Sequence, residues 1–418
     1  MRKLIALLAS SLFVVSFSIG ALAAQPVEKD WTLLVYLNGD NDLDGFGATN
    51  IKQMETVGST NNLNIVVQWA SESAGTTKRL LVQKASDPST VVSSPTSPIL
   101  ADIGKTDMGD WKNLVEFIRW GVQNYPAKHY MIDVWDHGAG WHSIQAMNAG
   151  GNKHTFHATD ISWDDNSGNY ITTEQLGQAM SQAAQIIGHK VDVYGSDACL
   201  MAMAEVANEM ADSVSYFVGS QETEPGPGWP YGDWLSQWAN TAGATSDVVS
   251  KTLVDAYVKS YQTGGSNATQ GTSEVTFAAY AMSKLADLDT AIAHLGKEIR
   301  SMNATDKEKL FNTAKTVQNF TDADYGDLLD FMSLISAAQV RSVAPQVVSE
   351  VQAAANAMII GNADTSQFAR AKGMSIWLPT DPSTYASNSA RYKGLKFNLA
   401  SDWGSTLDFL LQGASCRL

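Results

Sequence analysis

The sequence has few cysteines and few basic residues, and each shortage excludes a class of protein. Two cysteines in 418 residues cannot build a disulfide-rich scaffold or a four-thiolate zinc site. Lys and Arg number 28 against 43 Asp and Glu, giving a net charge of −15, so the basic face that nucleic-acid binding requires is not expected. Since 44% of the residues are hydrophobic and 17% charged, the chain can bury large cores, and global disorder is excluded.

Long hydrophobic runs are also lacking, except near the N-terminus. There Arg2 and Lys3 precede an apolar stretch at 4–19, which is followed by a small-x-small sequence at 21–23. This order is typical of a secretory signal peptide, so we predict one over residues 1–23, with export to the periplasm or the medium and no membrane span in the mature chain. The alternative, an N-terminal membrane anchor, is disfavoured because the apolar core is short and ends in a cleavage motif.

Strand-like segments alternate with helical patterns through the first half of the chain. The apolar, β-rich runs lie at 31–38, 63–69, 78–83, 129–136, 190–194 and 215–220. Between several of them lie amphipathic helix patterns such as that over 111–123. The alternation favours an α/β fold in which helices cover both faces of a largely parallel sheet.

After about residue 232 the pattern becomes mostly helical, with one late strand near 373–378. We therefore predict a catalytic α/β domain over 24–240 and a mostly helical C-terminal region over 241–418. A loop rich in Gly, Asn and His separates two strands of the first domain at 144–169.

Two predicted strands end in residues that can carry chemistry. His137 follows the strand at 129–136, and Cys199 lies shortly after the strand at 190–194. Strand ends of a parallel sheet meet at one edge, where a histidine can take a thiol proton and the thiolate can attack an acyl carbon. Cys199 also opens a predicted helix, whose N-terminus would lower the thiol pKa. The alternative is structural: a buried small cysteine and a histidine in a turn.

The sequences around these two residues resemble the clostripain family of cysteine peptidases, which belongs with the caspases, legumains and gingipains. The resemblance is carried by Asp-His-Gly-x-Gly-Trp at 136–141 and Asp-Ala-Cys-Leu-Met at 197–201. Further similar segments lie at 36–43, 220–229 and 373–379. The resemblance implies a caspase-like three-layer sandwich with a mostly parallel central sheet, and an endopeptidase that works through a thioester acyl-enzyme.

The same resemblance implies roles for individual residues. His137 matches the general base and Cys199 the nucleophile, and the backbone N–H groups of Gly138 and Cys199 match the oxyanion donors. Asp197 matches an acid of the S1 pocket, which implies cleavage after Arg or Lys, because a carboxylate suits a cationic side chain. The alternative for Asp197 is a cap on the helix predicted at Cys199.

Further acidic residues are candidates for a pocket or for calcium. Glu222 and Glu224 follow the strand at 215–220 and could add charge to the S1 pocket; the alternative is a solvated loop with a Pro-Gly turn. Asp40 and Asp42 have the oxygen ligands that calcium prefers, although a solvated loop and helix cap explains them as well. We expect that the chemistry requires no cofactor.

The family resemblance also implies a zymogen that cleaves itself between the histidine and cysteine strands. Lys153 lies in the loop at 144–169 and is the predicted cleavage point, so we expect a monomer or a nicked two-chain form acting on peptide or protein substrates. Two other functions stay open: a catalytically inactive, secreted binding or scaffold protein with the same fold, and a carbohydrate-active protein, suggested by 12 Trp. Cys416 is expected to be a dispensable thiol that is not bridged to Cys199.

Overall fold

The structure is a computed structural model that describes most of the chain. The described residues are 27–86, 94–142, 144–145, 157–158, 160–268 and 271–412. The predicted signal peptide, the predicted cleavage point Lys153 and the second cysteine, Cys416, lie outside these residues. Among the described residues, no helix is long and apolar enough to cross a bilayer.

The strands of the described residues, in chain order, are β1 (Lys29–Gly39), β2 (Leu63–Ser71), β3 (Thr76–Leu81), β4 (Ile99–Asp102), β5 (Ala127–Trp135), β6 (Ile144–Gln145), β7 (His157–Ala158), β8 (Ile161–Asp164), β9 (Asn169–Ile171), β10 (Val191–Asp197), β11 (Val214–Gly219), β12 (Thr276–Ala281), β13 (Tyr325–Asp327), β14 (Ile359–Asp364) and β15 (Ser375–Trp377).

The helices of the described residues are α1 (Asp44–Glu55), α2 (Trp111–Asn124), α3 (Thr173–Ile187), α4 (Ala204–Glu209), α5 (Tyr231–Asn240), α6 (Ser246–Ser260), α7 (Leu285–Arg300), α8 (Ala304–Ala314), α9 (Leu328–Ala337), α10 (Pro345–Met358), α11 (Pro382–Tyr392), α12 (Lys396–Ser401) and α13 (Trp403–Leu411). Single turns of 3-10 helix lie at Met282–Lys284 and Ser366–Phe368.

Within the described residues, nine strands form one sheet in the order β14-β12-β11-β10-β5-β1-β2-β3-β4. The five central strands, from β11 to β2, pair in parallel, and the outer strands pair antiparallel. Because the central strands share a direction, their carboxyl ends lie along one edge, which is where sites form in such sheets. The predicted α/β fold with a mostly parallel sheet is confirmed.

The sheet separates two apolar cores. Side chains alternate along β1, so that Leu34 and Tyr36 join the core on one face while Leu33, Val35 and Leu37 join the core on the other. The first core includes residues of α2, α3 and α7, and the second includes residues of α1, α5 and α6. This arrangement is a three-layer sandwich, which explains why the central strands are apolar on both faces.

The part of the chain after residue 240 contributes more to the sheet than its helical pattern predicts. Both β12 and β14 lie in this part and extend the sheet beyond β11. The late strand predicted near 373–378 is present as β15, but it pairs with β13 in a separate two-stranded sheet. The pattern of a short apolar run does not distinguish a strand from a buried piece of helix. The sequence therefore did not predict β12 and β14.

Candidate active site

A cavity of about 250 Å³ opens at the carboxyl edge of the parallel strands. Its lining comes from segments that follow β1, β5, β10 and β11, and includes Asp42, Leu43, Trp135, Asp136, His137, Asp197, Ala198, Cys199, Thr223, Glu224, Pro225, Gly226 and Gly228. Most of the residues that the sequence predicts for catalysis and substrate binding therefore meet in one place.

Cys199 lies in a turn between β10 and α4, and not at the start of a helix as the sequence predicts. Helix α4 begins only at Ala204. The intervening backbone bonds to the chain after β11, since the Leu200 N–H donates to the Glu222 carbonyl and the Ala202 N–H to the Ser220 carbonyl. These bonds replace helical ones, so the expectation that a helix N-terminus lowers the thiol pKa is wrong.

The surroundings of Cys199 favour the neutral thiol. Burial raises the pKa of the Cys199 thiol to about 11, and the charges of Glu222 and Asp197 act in the same direction. The Glu224 N–H, which donates to the Cys199 Sγ at 3.2 Å, opposes this shift. The resting side chain is therefore protonated at neutral pH, and attack by the sulfur requires a base.

His137 is held at the cavity wall by a carboxylate that the sequence did not assign to it. Its Nε2 lies 2.7 Å from Asp42 Oδ1, and the His137 side chain is 8% exposed whereas that of Asp42 is 62% exposed. Asp42 belongs to the loop after β1, and the two residues are 95 positions apart in the chain. This contact fixes the orientation of the imidazole at the cavity.

The loop that carries Asp42 is anchored by Asp136, the residue before His137. The Asn38 Nδ2 donates to Asp136 Oδ2 at 2.8 Å, and the Asn41 Nδ2 donates to Asp136 Oδ1 at 2.7 Å. Burial raises the pKa of Asp136 well above its usual value, and hydrogen bonds from the His137 backbone and the Asn41 amide partly compensate. Asp136 therefore supports the loop that carries Asp42.

Gly138 brings the histidine turn against the cysteine turn. A Cβ at position 138 would lie 2.5 Å from the Cys199 carbonyl oxygen and 3.2 Å from the Cys199 nitrogen. Only glycine allows this approach without displacing backbone. The two peptide units whose N–H groups the sequence predicts as oxyanion donors are thus neighbours.

Asp197 lies at the floor of the cavity and does not cap a helix, so the structural alternative for this residue is wrong. Its Oδ2 accepts a hydrogen bond from the Trp229 N–H at 3.2 Å and lies 2.8 Å from the Tyr231 hydroxyl. Burial raises the pKa of Asp197 to about 7 despite these donors. Gly228 has a φ of +64°, and a Cβ there would come within 3.0 Å of Asp197, so the floor stays open.

The two glutamates after β11 have different positions. Glu224 lines the same cavity as Asp197, and neither of its carboxyl oxygens has a hydrogen-bond partner among the described residues. Glu222 lies outside the cavity, and its carboxylate accepts hydrogen bonds from the Thr321 N–H at 3.0 Å and the Thr223 N–H at 2.7 Å. Of the two predicted S1 candidates, the structure therefore brings only Glu224 to Asp197, while Glu222 ties the loop to the segment before β13.

A third buried carboxyl, that of Asp133, lies beside Asp197 and was not predicted. Asp133 is fully buried in β5, and its Oδ2 lies 2.6 Å from the same Tyr231 hydroxyl that contacts Asp197. Burial raises the pKa of Asp133 well above its usual value, and the charge of Asp197 adds to this. An aspartate within the apolar run 130–135 is the sequence signal that could have identified it.

The predicted calcium ligands do not converge. Asp42 contacts His137, whereas Asp40 accepts a hydrogen bond from Asn166. No cluster of three His, Cys, Asp or Glu side chains in the described part of the chain is placed to hold a metal ion. These residues do not fit a calcium site in this arrangement, and a calcium requirement stays a prediction.

Comparison with known proteins gives concordant results. The model of the clostripain family matches residues 35–409. The curated protein clostripain from Hathewaya histolytica is 26% identical over an alignment of 247 residues, and the match covers 53% of this chain and 44% of that protein. This chain therefore matches less than half the length of that relative.

Solved structures show the same fold. A secreted cysteine protease from Bacteroides thetaiotaomicron, in complex with an irreversible peptide inhibitor, is 20% identical with a TM-score of 0.66, over 90% of this chain and 99% of that chain. An inactive zymogen protease from Parabacteroides distasonis is 17% identical, with the same TM-score and the same two coverages. Because the family model covers most of the sequence, the chain belongs to the clostripain family of cysteine peptidases.

Proposed function

We propose that this protein is an exported cysteine endopeptidase that cleaves peptide bonds after Arg or Lys. One observation carries the proposal: the cavity that holds His137 and Cys199 also holds the carboxyl groups of Asp197 and Glu224. No Lys or Arg of the described residues lines this cavity. A cationic substrate side chain supplies the compensating charge, since buried carboxylates are stable only when paired.

The proposed chemistry uses groups of this chain alone, so it needs no cofactor. His137 takes the Cys199 proton as the sulfur attacks the scissile carbonyl carbon, and the backbone N–H groups of Gly138 and Cys199 stabilise the oxyanion. His137 then donates the proton to the leaving amine, which departs as the thioester forms. Water, deprotonated by His137, hydrolyses the thioester and restores the thiol.

Asp42 has a positioning role in this scheme. Its contact with His137 holds the ring at the cavity and offers a negative charge to the imidazolium that forms when the thiol loses its proton. Because Asp42 is largely exposed, water screens much of this interaction, and the contribution is smaller than that of a buried acid.

Self-processing after Lys153 is part of the proposal. Lys153 lies outside the described residues, but the strands on either side, β6 and β7, pair with each other through Gln145 and His157. A basic residue between them matches the proposed specificity. Lys153→Ala should remain a single chain under conditions in which the wild-type protein is nicked, as judged by denaturing electrophoresis and N-terminal sequencing. Cleavage of the variant at the same position would contradict this assignment.

The peptidase function is tested with peptide reporters that carry Arg, Lys or an uncharged residue at P1. The mature wild-type protein should hydrolyse the basic reporters, and both iodoacetamide and Cys199→Ala should abolish the activity. Cys416→Ala is the matched control and should retain it. Activity that survives in Cys199→Ala would refute the thiol mechanism, and failure of every reporter after any processing treatment would favour a binding protein.

A further inference from the structure

We propose that the empty S1 pocket carries two protons on three buried carboxyl groups, and that a basic P1 side chain displaces one of them into solvent. The three carboxyl groups belong to Asp133, Asp197 and Glu224, and together with the Tyr231 hydroxyl we call them the acid chain. This inference rests on the proposed function, because it concerns the same pocket. It adds two residues, Asp133 and Tyr231, that position and tune the acids in contact with substrate.

The first of the two protons follows from two contacts of Tyr231. The Tyr231 hydroxyl oxygen lies 2.6 Å from Asp133 Oδ2 and 2.8 Å from Asp197 Oδ2. Two oxygens at hydrogen-bond distance need one hydrogen between them, and a phenol supplies only one. Two contacts need two hydrogens, so one of these two aspartates is protonated.

The surroundings decide which of the two aspartates holds this proton. Asp133 is fully buried and no side-chain or backbone donor of the described residues bonds to its Oδ1, so it carries a proton and donates it to Tyr231. Tyr231 in turn donates to Asp197, which also receives the Trp229 N–H. Asp197 is therefore the ionised member.

Glu224 carries the second proton. Neither of its buried carboxyl oxygens has a donor among the described residues, so ionised Glu224 would face ionised Asp197 without support. Burial and the charge of Asp197 accordingly raise the pKa of Glu224 well above its usual value, whereas that of Asp197 rises only to about 7. The empty acid chain thus has a single negative charge once the pH exceeds the pKa of Asp197.

No Lys or Arg of the described residues lines the cavity that holds Asp197 and Glu224. Cys199 and Glu222 lie near Asp197, Tyr257 and Tyr261 face Asp197 and Glu224 from α6 and its C-terminal end, and His137 lines the same cavity. A guanidinium or ammonium group entering the pocket is therefore the first full cation that Glu224 meets. It stabilises both Glu224 and Asp197 as carboxylates, and the Glu224 proton passes to the buffer.

A neutral side chain of the same shape cannot cause this change. Without a positive charge between them, Asp197 and Glu224 repel each other when both are ionised, so Glu224 keeps its proton. A neutral P1 side chain therefore meets only one charged acceptor in the pocket, which is Asp197. The pocket therefore distinguishes a cation from an isostere through its own protonation as well as through direct attraction.

Proton release on binding tests the inference. Full-length mature Cys199→Ala, which cannot turn over, is titrated calorimetrically with acetyl-arginine amide and with the neutral isostere acetyl-citrulline amide. Each titration is done at pH 8, above the pKa of Asp197, in two buffers that differ in ionisation enthalpy. We expect release of about one proton per arginine probe and none for the citrulline probe, and an arginine affinity that rises up to about tenfold per pH unit while Glu224 is protonated.

Variants in the same background locate the proton. Glu224→Gln should bind the arginine probe more weakly and release no proton, whereas Asp133→Asn, a neutral replacement for a protonated acid, should leave the release near one. The matched control is Asp289→Asn, because Asp289 is a carboxyl group in α7 whose pKa burial raises to about 6 and whose partner is Asn208. This control should also release about one proton.

The possible outcomes separate this inference from the proposed function. Arginine binding without proton release, or an undiminished release in Glu224→Gln, would overturn the inference and leave the basic specificity intact. No binding of the arginine probe at any pH would overturn both. Release of about one proton in the parent protein and the Asp289 control, lost only in Glu224→Gln, would establish the inference.

Discussion

Asp197→Asn removes one charge from the floor of the cavity with little change of shape, and its consequences can be worked out from the contacts of Asp197. The asparagine oxygen can still accept hydrogen bonds from the Trp229 N–H and the Tyr231 hydroxyl, while its amide faces Glu224. Both groups that donate to Asp197 thus keep an acceptor. We expect the variant to fold, and its altered activity to report on charge.

The expected loss on basic substrates follows from the hydrogen bond that disappears. A hydrogen bond to a charged group contributes about 1.5–3 kcal/mol, which corresponds to about 10- to 150-fold in kcat/KM. Glu224 remains available to the substrate cation, so the loss belongs near the lower end of that range. An uncharged P1 reporter makes no charged contact with Asp197, so its hydrolysis should change little.

The same substitution should make Cys199 more reactive. The charge of Asp197 is one cause of the raised pKa of the Cys199 thiol, so its removal lowers that pKa from about 11 and increases the thiolate fraction at a given pH. Iodoacetamide should then inactivate Asp197→Asn faster than the wild-type protein below pH 9. Slower cleavage of basic peptides combined with faster alkylation is a signature that general damage to the fold does not produce.

The assay compares kcat/KM for arginine and citrulline reporters and measures alkylation rates over a pH series in both proteins. An equal loss for both reporters would refute the assignment of Asp197 to the S1 pocket. Alkylation that is unchanged or slower in the variant would refute the electrostatic link between Asp197 and the thiol.

Three further substitutions test other parts of the site and the core. Asp42→Asn should lower kcat by about two- to tenfold with KM unchanged, because a largely exposed carboxylate contributes about 1 kcal/mol or less; an unchanged kcat in steady-state assays would contradict a positioning role. Gly138→Ala should lower the free energy of unfolding by about 1–3 kcal/mol and reduce kcat, since its Cβ would come within 2.5 Å of the Cys199 carbonyl oxygen; denaturant unfolding with wild-type stability would contradict this packing. Burial raises the pKa of Glu205 from 4.5 to about 7, so its stabilising contribution is complete below pH 4.5 and is lost as the pH rises through 7, an effect of about 3 kcal/mol. Glu205→Gln should remove that part of the pH dependence, which thermal unfolding at pH 5 and pH 8 would reveal; the same decline in both proteins would contradict it.

The sequence predicts those parts of the site that depend on the type of each strand and on the residues that directly follow it in the chain. The runs that became β5 and β10 alternate with helical patterns, which indicates strands of a parallel sheet, and parallel strands end at one edge. This reasoning alone brings His137 and Cys199 near each other. Gly138 and Asp197 follow because they are neighbours of these two residues in the chain.

What the sequence did not predict depends on contacts between distant segments. The turn at Cys199 exists because the backbone of 200–202 bonds to that of 220–222, which no local propensity shows. The contact of Asp42 with His137 and the position of Tyr231 between two acids likewise join residues far apart in the chain. Glu222 and Glu224 have the same chemistry, and only the position of Thr321 shows which of them faces away from the cavity.

The order of strands in the sheet has a consequence for any break in the backbone after His137 and before β10. One piece would then carry His137 and Asp133, and the other would carry Cys199, Asp197 and Tyr231. The two pieces would still share five paired positions, from Val193 with Met131 to Asp197 with Trp135, in the middle of the sheet. Each fragment would hold half of the catalytic residues and half of the binding pocket. Activity would therefore require the two fragments to stay paired through β5 and β10, and neither fragment alone would be active.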